Sequence, residues 1–196
     1  NHLLYQEFAN QHPNLIQFYG VPVKRREWMG VLHLKGFLFD DTLLYSGASL
    51  NNIYLQQQER YRFDRYHEIT DSALASSWAR FIQHYFLQSP AVKRLDLAPV
   101  PLVKSFRGEL RRLRSHLQKA RYDFAPALRA PGEVGITPLV GLGKLGNRLN
   151  KCIRDLLRGA KEEVFICTPY FNPPKYIAKD IDRLLRRGVR LTLVVG

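Results

Sequence analysis

The chain has 196 residues, 45% of them hydrophobic, and carries 30 lysines and arginines against 17 aspartates and glutamates, a net charge of +13. Such a length and apolar content support the core of one domain or parts of two and exclude a disordered chain. The positive excess points to an anionic partner, nucleic acid or an acidic membrane surface, between which composition does not choose. No apolar run approaches the roughly 18 residues of a membrane span, and the first residues carry no signal-peptide pattern, so secretion is not expected. Cys152 and Cys167 lie fifteen residues apart without metal-ligand spacing, and each has apolar neighbours. They read as buried free thiols in a reducing cytosol, and neither metal nor cofactor is expected.

Residues 1–16 are polar and offer no chemistry. Leu15 to Val23 has a strand-like pattern, closed by Pro22 and the basic turn Lys24-Arg25-Arg26-Glu27. It is expected to feed the stretch that follows. Val31-Leu32-His33-Leu34-Lys35-Gly36-Phe37-Leu38-Phe39-Asp40 is too short for a helix and reads as a strand. Alternation then sets His33 and Lys35 on one face with Phe37 and Phe39, and Leu32, Leu34 and Leu38 on the other, as in a sheet covered on both sides. A buried histidine and lysine are costly unless something polar meets them. One reading is a hydrogen-bonded core histidine and a lysine reaching out at a strand end. The other is a phosphate, which suits a lysine point charge and an imidazole able to attack or protonate it. Asp41-Thr42 is expected to turn the chain and Leu43-Leu44-Tyr45 to return it, bringing Gly47 to Asn51 back toward His33 and Lys35.

Asn52 to Arg60 is polar, and Tyr61 to Ile69 alternates like a strand. An imidazole that attacks phosphorus needs a carboxylate on its other nitrogen. Asp40, an odd offset from His33, faces away on a straight strand. Asp64, further along the chain, is a second carboxylate to consider, although a surface ion pair with Arg62 or Arg65 explains it equally well. His67 is a candidate substrate ligand or a structural strand-end histidine. Thr70-Asp71-Ser72 offers a helix cap, and Leu74, Trp78, Phe81, Ile82 and Tyr85 recur at helical spacing up to Ser89-Pro90.

After a proline-bearing connector from Arg94 to Pro101, a basic helix is expected with Phe106, Leu110, Leu113 and Leu117 on one side. Lys104, Arg107, Arg111, Arg112, Arg114, Lys119 and Arg121 fill the rest, with Glu109 the lone acid. Such a helix is either a solvated outer face or a surface attracted to anionic lipid. Pro126 to Gly135 reads as a linker, which places a boundary near residue 130. The glycine-rich Gly141 to Asn147 leads into a helix from Leu149 to Arg158 and lacks the spacing of either nucleotide-binding glycine motif. A buried strand over 163–167, a helix over 176–187 and a strand over 189–195 form a βαβ unit. Its loop Thr168 to Pro174 lies where parallel sheets bind ligands, which makes Tyr170 and Asn172 pocket candidates.

His-x-Lys-x4-Asp followed by Gly47 resembles the HKD motif of the phospholipase D superfamily, whose members cleave or exchange phosphodiesters through a phosphohistidine. The loop Gly47-Ala48-Ser49-Leu50-Asn51 is one residue out of register with the family pattern, so the asparagine role falls to Ser49 or Asn51. Four further stretches follow the HKD run in order: Tyr45 to Asn51, Tyr61 to His67, Pro138 to Lys144 and Cys167 to Asn172. Together they are similar to the phospholipid-synthesising branch found in Gram-negative bacteria. The resemblance implies an α/β sandwich with a central mixed sheet between helices. It implies exchange of the CMP of CDP-diacylglycerol for L-serine without a metal, at the cytoplasmic face of the inner membrane. It makes His33, Lys35, Asp40, Ser49, Asn51 and Asp64 catalytic candidates, Asp64 as the group orienting His33, and Gly47, His67, Tyr170 and Asn172 substrate-binding ones.

The superfamily builds one site from two HKD motifs, and this sequence holds one. It is therefore expected to be a fragment, inactive alone: residues 1–130 the later part of a first repeat, 131–196 the start of a second. Two rivals stand beside this reading. One is an HKD endonuclease that completes its site by homodimerising and grips the DNA backbone. The other is a non-enzymatic module that binds acidic membranes through its basic helix.

Overall fold

The computed structural model describes residues 2–21, 33–57, 59, 62–99, 107–124, 130–142 and 147–196. The basic turn at Lys24, Val31, Leu32, Phe106 and most of the glycine-rich loop lie outside the described residues. The chain forms two compact units, Asn1–Ile136 and Thr137–Gly196.

The first unit opens with α1 (His2–Gln11), a helix that buries no residue and so left no apolar stripe to read. The two-residue strand β1 (Tyr19–Gly20) follows. Next come β2 (Phe37–Phe39), β3 (Thr42–Ser46) and β4 (Tyr66–Thr70), a three-stranded antiparallel sheet with β3 in the middle. Phe39 pairs with Thr42 across a two-residue turn at Asp40-Asp41, so Thr42 starts the return strand instead of turning the chain. Asp40 takes φ 52°, a left-handed conformation that aspartate tolerates better than most side chains. Thr42 and Thr70 face each other across the sheet with hydroxyl oxygens 3.0 Å apart.

Helix α2 (Ser72–Ile82) is capped by the Asp71 carboxylate, which accepts from Leu74 N–H at 2.7 Å. The Asp71 N–H in turn donates to the Asp41 carbonyl, tying the helix start to the hairpin turn. The helix widens into a π turn over Gln83–Leu87 before Ser89-Pro90 ends it. Phe81, buried at its centre, stacks on Tyr122 with ring centroids 4.4 Å apart. Strand β5 (Lys93–Arg94) pairs antiparallel with β1, so the Leu15–Val23 segment joins β5 and not the HKD hairpin as expected. Asp96 closes this pair: its buried carboxylate accepts from Arg94 and from Phe18 N–H. Helix α3 (Arg107–Gln118) buries Leu110 and Leu113 and turns Arg111 and Arg112 outward, the arrangement of a core-packed basic helix.

The second unit runs α4 (Arg148–Gly159), β6 (Glu163–Thr168), α5 (Lys175–Arg186) and β7 (Arg190–Val195), with β6 and β7 parallel. Its core is Leu157, Ile181, Leu184 and Val189, with Val164, Ile177 and Leu191 against it. β6 alternates between half-buried and exposed residues instead of being covered on both faces, with Phe165 69% exposed. Cys167 lies on that open face and Cys152 is half-buried, which corrects the expectation of two buried thiols. The α/β class holds. The described strands form three small sheets in place of one central mixed sheet. No described helix is long and apolar enough to cross a membrane.

Candidate active site

His33 and Lys35 are not on a strand. Residues 33–36 are irregular and β2 starts only at Phe37, so alternation does not align the two side chains, and the buried ribbon expected from sequence is corrected. The cause is local. Gly36 has φ 151°, which side-chain-bearing residues rarely adopt, and a methyl group there would sit 3.2 Å from Cζ2 of Trp78. The chain breaks at Gly36 to pass the indole. His33 is left exposed and Lys35 half-buried.

The hairpin nevertheless returns the loop after β3 to Lys35. The Lys35 ammonium donates to the Gly47 carbonyl. Gly47 also meets Asp64: a Cβ at Gly47 would lie 3.0 Å from the Asp64 Oδ2. Lys35, Gly47 and Asp64 thus share one small surface, and the missing side chain at Gly47 lets the carboxylate approach. Upstream, the buried Ser46 hydroxyl accepts from Ala48 N–H at 2.9 Å and pins the loop entry. Downstream, Asn51 Oδ1 accepts from Tyr54 N–H at 3.2 Å, and the Asn51 carbonyl accepts from Leu55 N–H. The carboxamide is held by its oxygen, so its Nδ2 donors face away from that turn. Ser49 is half-buried in the same loop, and its carbonyl accepts from Asn51 N–H.

Asp64 precedes β4, which starts at Tyr66, and its Oδ1 accepts from Arg65 N–H at 2.7 Å. No hydrogen bond joins Asp64 to His33 among the described residues. Asp40 sits in the hairpin turn, at the far end of β2 from His33. His67 is exposed on β4 opposite Tyr45. In the second unit, Tyr170 and Asn172 are both exposed in the loop after β6, where the Tyr170 carbonyl accepts from the Thr168 hydroxyl at 3.0 Å. No group of three or more metal-ligating side chains occurs among the described residues.

Two residues outside the predicted site belong to the Lys35 surface: Tyr54, and Arg62, which the sequence offered only as an ion-pair partner of Asp64. The Lys35 ammonium lies 5.2 Å from the ring centroid of Tyr54, and the Arg62 guanidinium lies 5.7 Å from the same centroid. Arg62 Nη1 also donates to the Tyr54 hydroxyl at 3.3 Å. An aromatic three residues after Asn51 and a basic residue two before Asp64 were the signal available.

The chain aligns with a CDP-diacylglycerol–serine O-phosphatidyltransferase of Haemophilus influenzae at 47% identity over 185 residues, 94% of this chain and 40% of that protein. It aligns with the Escherichia coli protein of the same name at 39% identity over 193 residues, 98% of this chain and 42% of that one. The chain is similar to phosphatidylserine synthase. A crystal structure of phosphatidylserine synthase from Haemophilus influenzae superposes with a TM-score of 0.89 at 44% identity, covering all of this chain and 44% of that one. The chain thus spans about two fifths of the length of the phosphatidylserine synthases it matches. The likeness agrees with the phospholipase D resemblance of the His33 to Asp40 stretch, and no protein-family profile matches the chain.

Proposed function

We propose that this chain is the part of a phosphatidylserine synthase that carries the first HKD motif, and that the enzyme moves the phosphatidyl group of CDP-diacylglycerol to L-serine. The observation that carries the reading is the convergence of Lys35, Gly47 and Asp64 on a loop fixed by Asn51, in a chain 47% identical to a protein of that name. His33 attacks the phosphatidyl phosphorus, the P–O bond to CMP breaks, and a phosphohistidine remains until serine displaces it. Lys35 and the Asn51 Nδ2, with the Ser49 hydroxyl as the other candidate, stabilise the non-bridging oxygens. Asp64 orients His33, a contact that closes when substrate fixes the exposed imidazole, since catalytic hydrogen bonds often tighten only in the complex. Asp40 shapes the turn that returns the loop. Gly47 and His67 lie beside the donor, and Tyr170 and Asn172, on the exposed loop after β6, are further substrate-binding candidates. The acid that protonates CMP and the base that deprotonates serine belong to a second HKD motif beyond residues 1–196.

Arg111 and Arg112, outward on α3, together with the half-buried Arg114, hold the enzyme against the anionic inner face of the membrane. Exchange of labelled CMP into CDP-diacylglycerol in the absence of serine tests the two-step path in the intact enzyme. The wild type is expected to exchange and His33→Ala to lose exchange and synthesis together. Exchange persisting in His33→Ala removes the assignment, and DNA cleavage by the 196-residue chain as a dimer would favour the endonuclease instead.

A further inference from the structure

A second cluster of chemistry-bearing side chains lies between the π turn and α3, and it shares no residue with the HKD hairpin. In the π turn over Gln83–Leu87, Gln88 N–H reaches back five residues to the Gln83 carbonyl at 3.0 Å. Such turns are rare and recur at functional sites. This one carries His84, whose ring meets His116 of α3 edge-on with centroids 5.1 Å apart. Tyr85 packs against the two imidazoles at 4.7 and 4.8 Å, and its hydroxyl accepts from Arg121 N–H. Both imidazoles line a cavity of about 320 Å³, with Glu109 and Arg112 beside them. Glu109 Oε2 is buried and accepts no hydrogen bond, although the Lys93 ammonium lies 3.9 Å away. Lys93 thus balances the carboxylate charge from beyond hydrogen-bonding distance. The Arg112 guanidinium is exposed, and no hydrogen bond or ion pair engages it among the described residues.

We infer that this cavity binds the phosphoserine headgroup of the lipid product, a choice of ligand that rests on the phosphatidyl-transfer reading. Glu109, Arg112 and His116 recur at helical spacing on one face of α3, so they line the cavity in that order. Glu109 and His116 are two turns apart, about 10 Å along the axis, so a ligand that touches both carries unlike groups at its two ends. A buried acceptor without a donor is unfavourable, and a ligand ammonium at Glu109 Oε2 removes that penalty. With Glu109 and Lys93 cancelling, Arg112 leaves one positive charge for the ligand to meet. The headgroup matches on both counts: its ammonium, carboxylate and diester phosphate sum to one negative charge. The ammonium meets Glu109, the carboxylate meets the Arg112 guanidinium, whose fork fits it, and the phosphate lies at the imidazole pair. A lipid reaches the cavity from the side on which α3 faces the membrane.

Labelling by diethyl pyrocarbonate, read by peptide mass spectrometry on the intact enzyme, tests the site, because His84 and His116 are both exposed. Saturating glycerophospho-L-serine is expected to slow labelling of both by about fivefold, while glycerophosphoglycerol, equal in charge without an ammonium, and glycerophosphoethanolamine, without the carboxylate, slow it less than about twofold. Phosphatidylserine in detergent micelles should protect as the soluble headgroup does, and phosphatidylglycerol micelles should not. Protection by the soluble headgroup alone overturns the lipid product as occupant. Glu109→Gln and Arg112→Gln, checked for folding by melting curves, should each raise the headgroup concentration needed for protection by about tenfold. Equal protection by all three diesters, protection by none, or undiminished protection in both folded variants overturns the site. Phosphatidylserine synthesis is assayed on the same preparation. Synthesis without protection removes the site alone, whereas a wild-type enzyme that makes no phosphatidylserine fails the phosphatidyl-transfer reading and takes this ligand with it.

Discussion

Two regions of the molecule hold clustered positive charge and use it differently. In the second unit, Arg154, Arg158 and Arg183 converge on the wholly buried carboxylate of Asp180, the first two through Nε at 2.6 and 3.1 Å. The Arg154 hydrogen bond holds the Asp180 pKa below the usual carboxylate range, against the opposing effect of burial. Arg154 and Arg158 bridge α4 to α5, Arg183 pairs within α5, and all three are directed at a structural anion. On the hairpin of the first unit, Lys35 donates to a carbonyl oxygen and lies over the Tyr54 ring. A neutral acceptor orients a cation and leaves its charge to act on something else. Net charge alone does not distinguish the two regions; the acceptor at the end of each side chain does.

The comparison predicts a double dissociation. His33→Ala should cost the most, at least about 10⁴-fold in phosphatidyl transfer, with an unchanged melting curve. Lys35→Met should cost about 10²- to 10³-fold in kcat, the usual range for a donor aimed at developing charge, measured by CMP release. Asp180→Asn should act the other way, lowering the melting temperature by roughly 5–10 °C because three arginines lose their shared partner, with kcat in the folded protein unaffected. Gly36→Ala should destabilise by about 1–2 kcal/mol in urea titration, since it combines strained backbone with crowding against Trp78.

The smallest effect is in the pH profile. The Arg94 hydrogen bond lowers the Asp96 pKa from 3.8 to about 2, so the folded state binds this proton less readily than the unfolded chain. The contribution is complete above pH 3.8 and is lost as pH falls toward 2. Asp96→Asn should flatten the stability curve over that window, and an undiminished slope would place the acid sensitivity elsewhere.

Much of the architecture was legible because it is written in local pattern. The Asp71 cap, the apolar stripe of α2, the βαβ order of the second unit and the hairpin returning Gly47 to Lys35 all follow from periodicity and turn chemistry. What escaped was set by tertiary contact. The strand through His33 breaks at Gly36 because Trp78, forty-two residues later, lies against it. β1 pairs with β5, a partner more than seventy residues away that no local pattern announces. The open face of β6, with Phe165 and Cys167, has the composition of a covered strand, so sequence alone overstated its burial. In the site, motif spacing picked out Lys35, Gly47 and Asp64, which the hairpin brings together. Tyr54 lies in none of these stretches, and the place of Arg62 beside its ring emerges only from the geometry.

The central claim is that His33 carries the phosphatidyl group while Lys35 and its loop hold the phosphate. Peptide mass spectrometry of the intact enzyme, quenched in alkali after mixing with CDP-diacylglycerol without serine, tests it directly. The account predicts a phosphatidyl adduct on the peptide containing His33 that disappears when serine is added. An adduct on another residue, or CMP release with no adduct in the quenched enzyme, would contradict it.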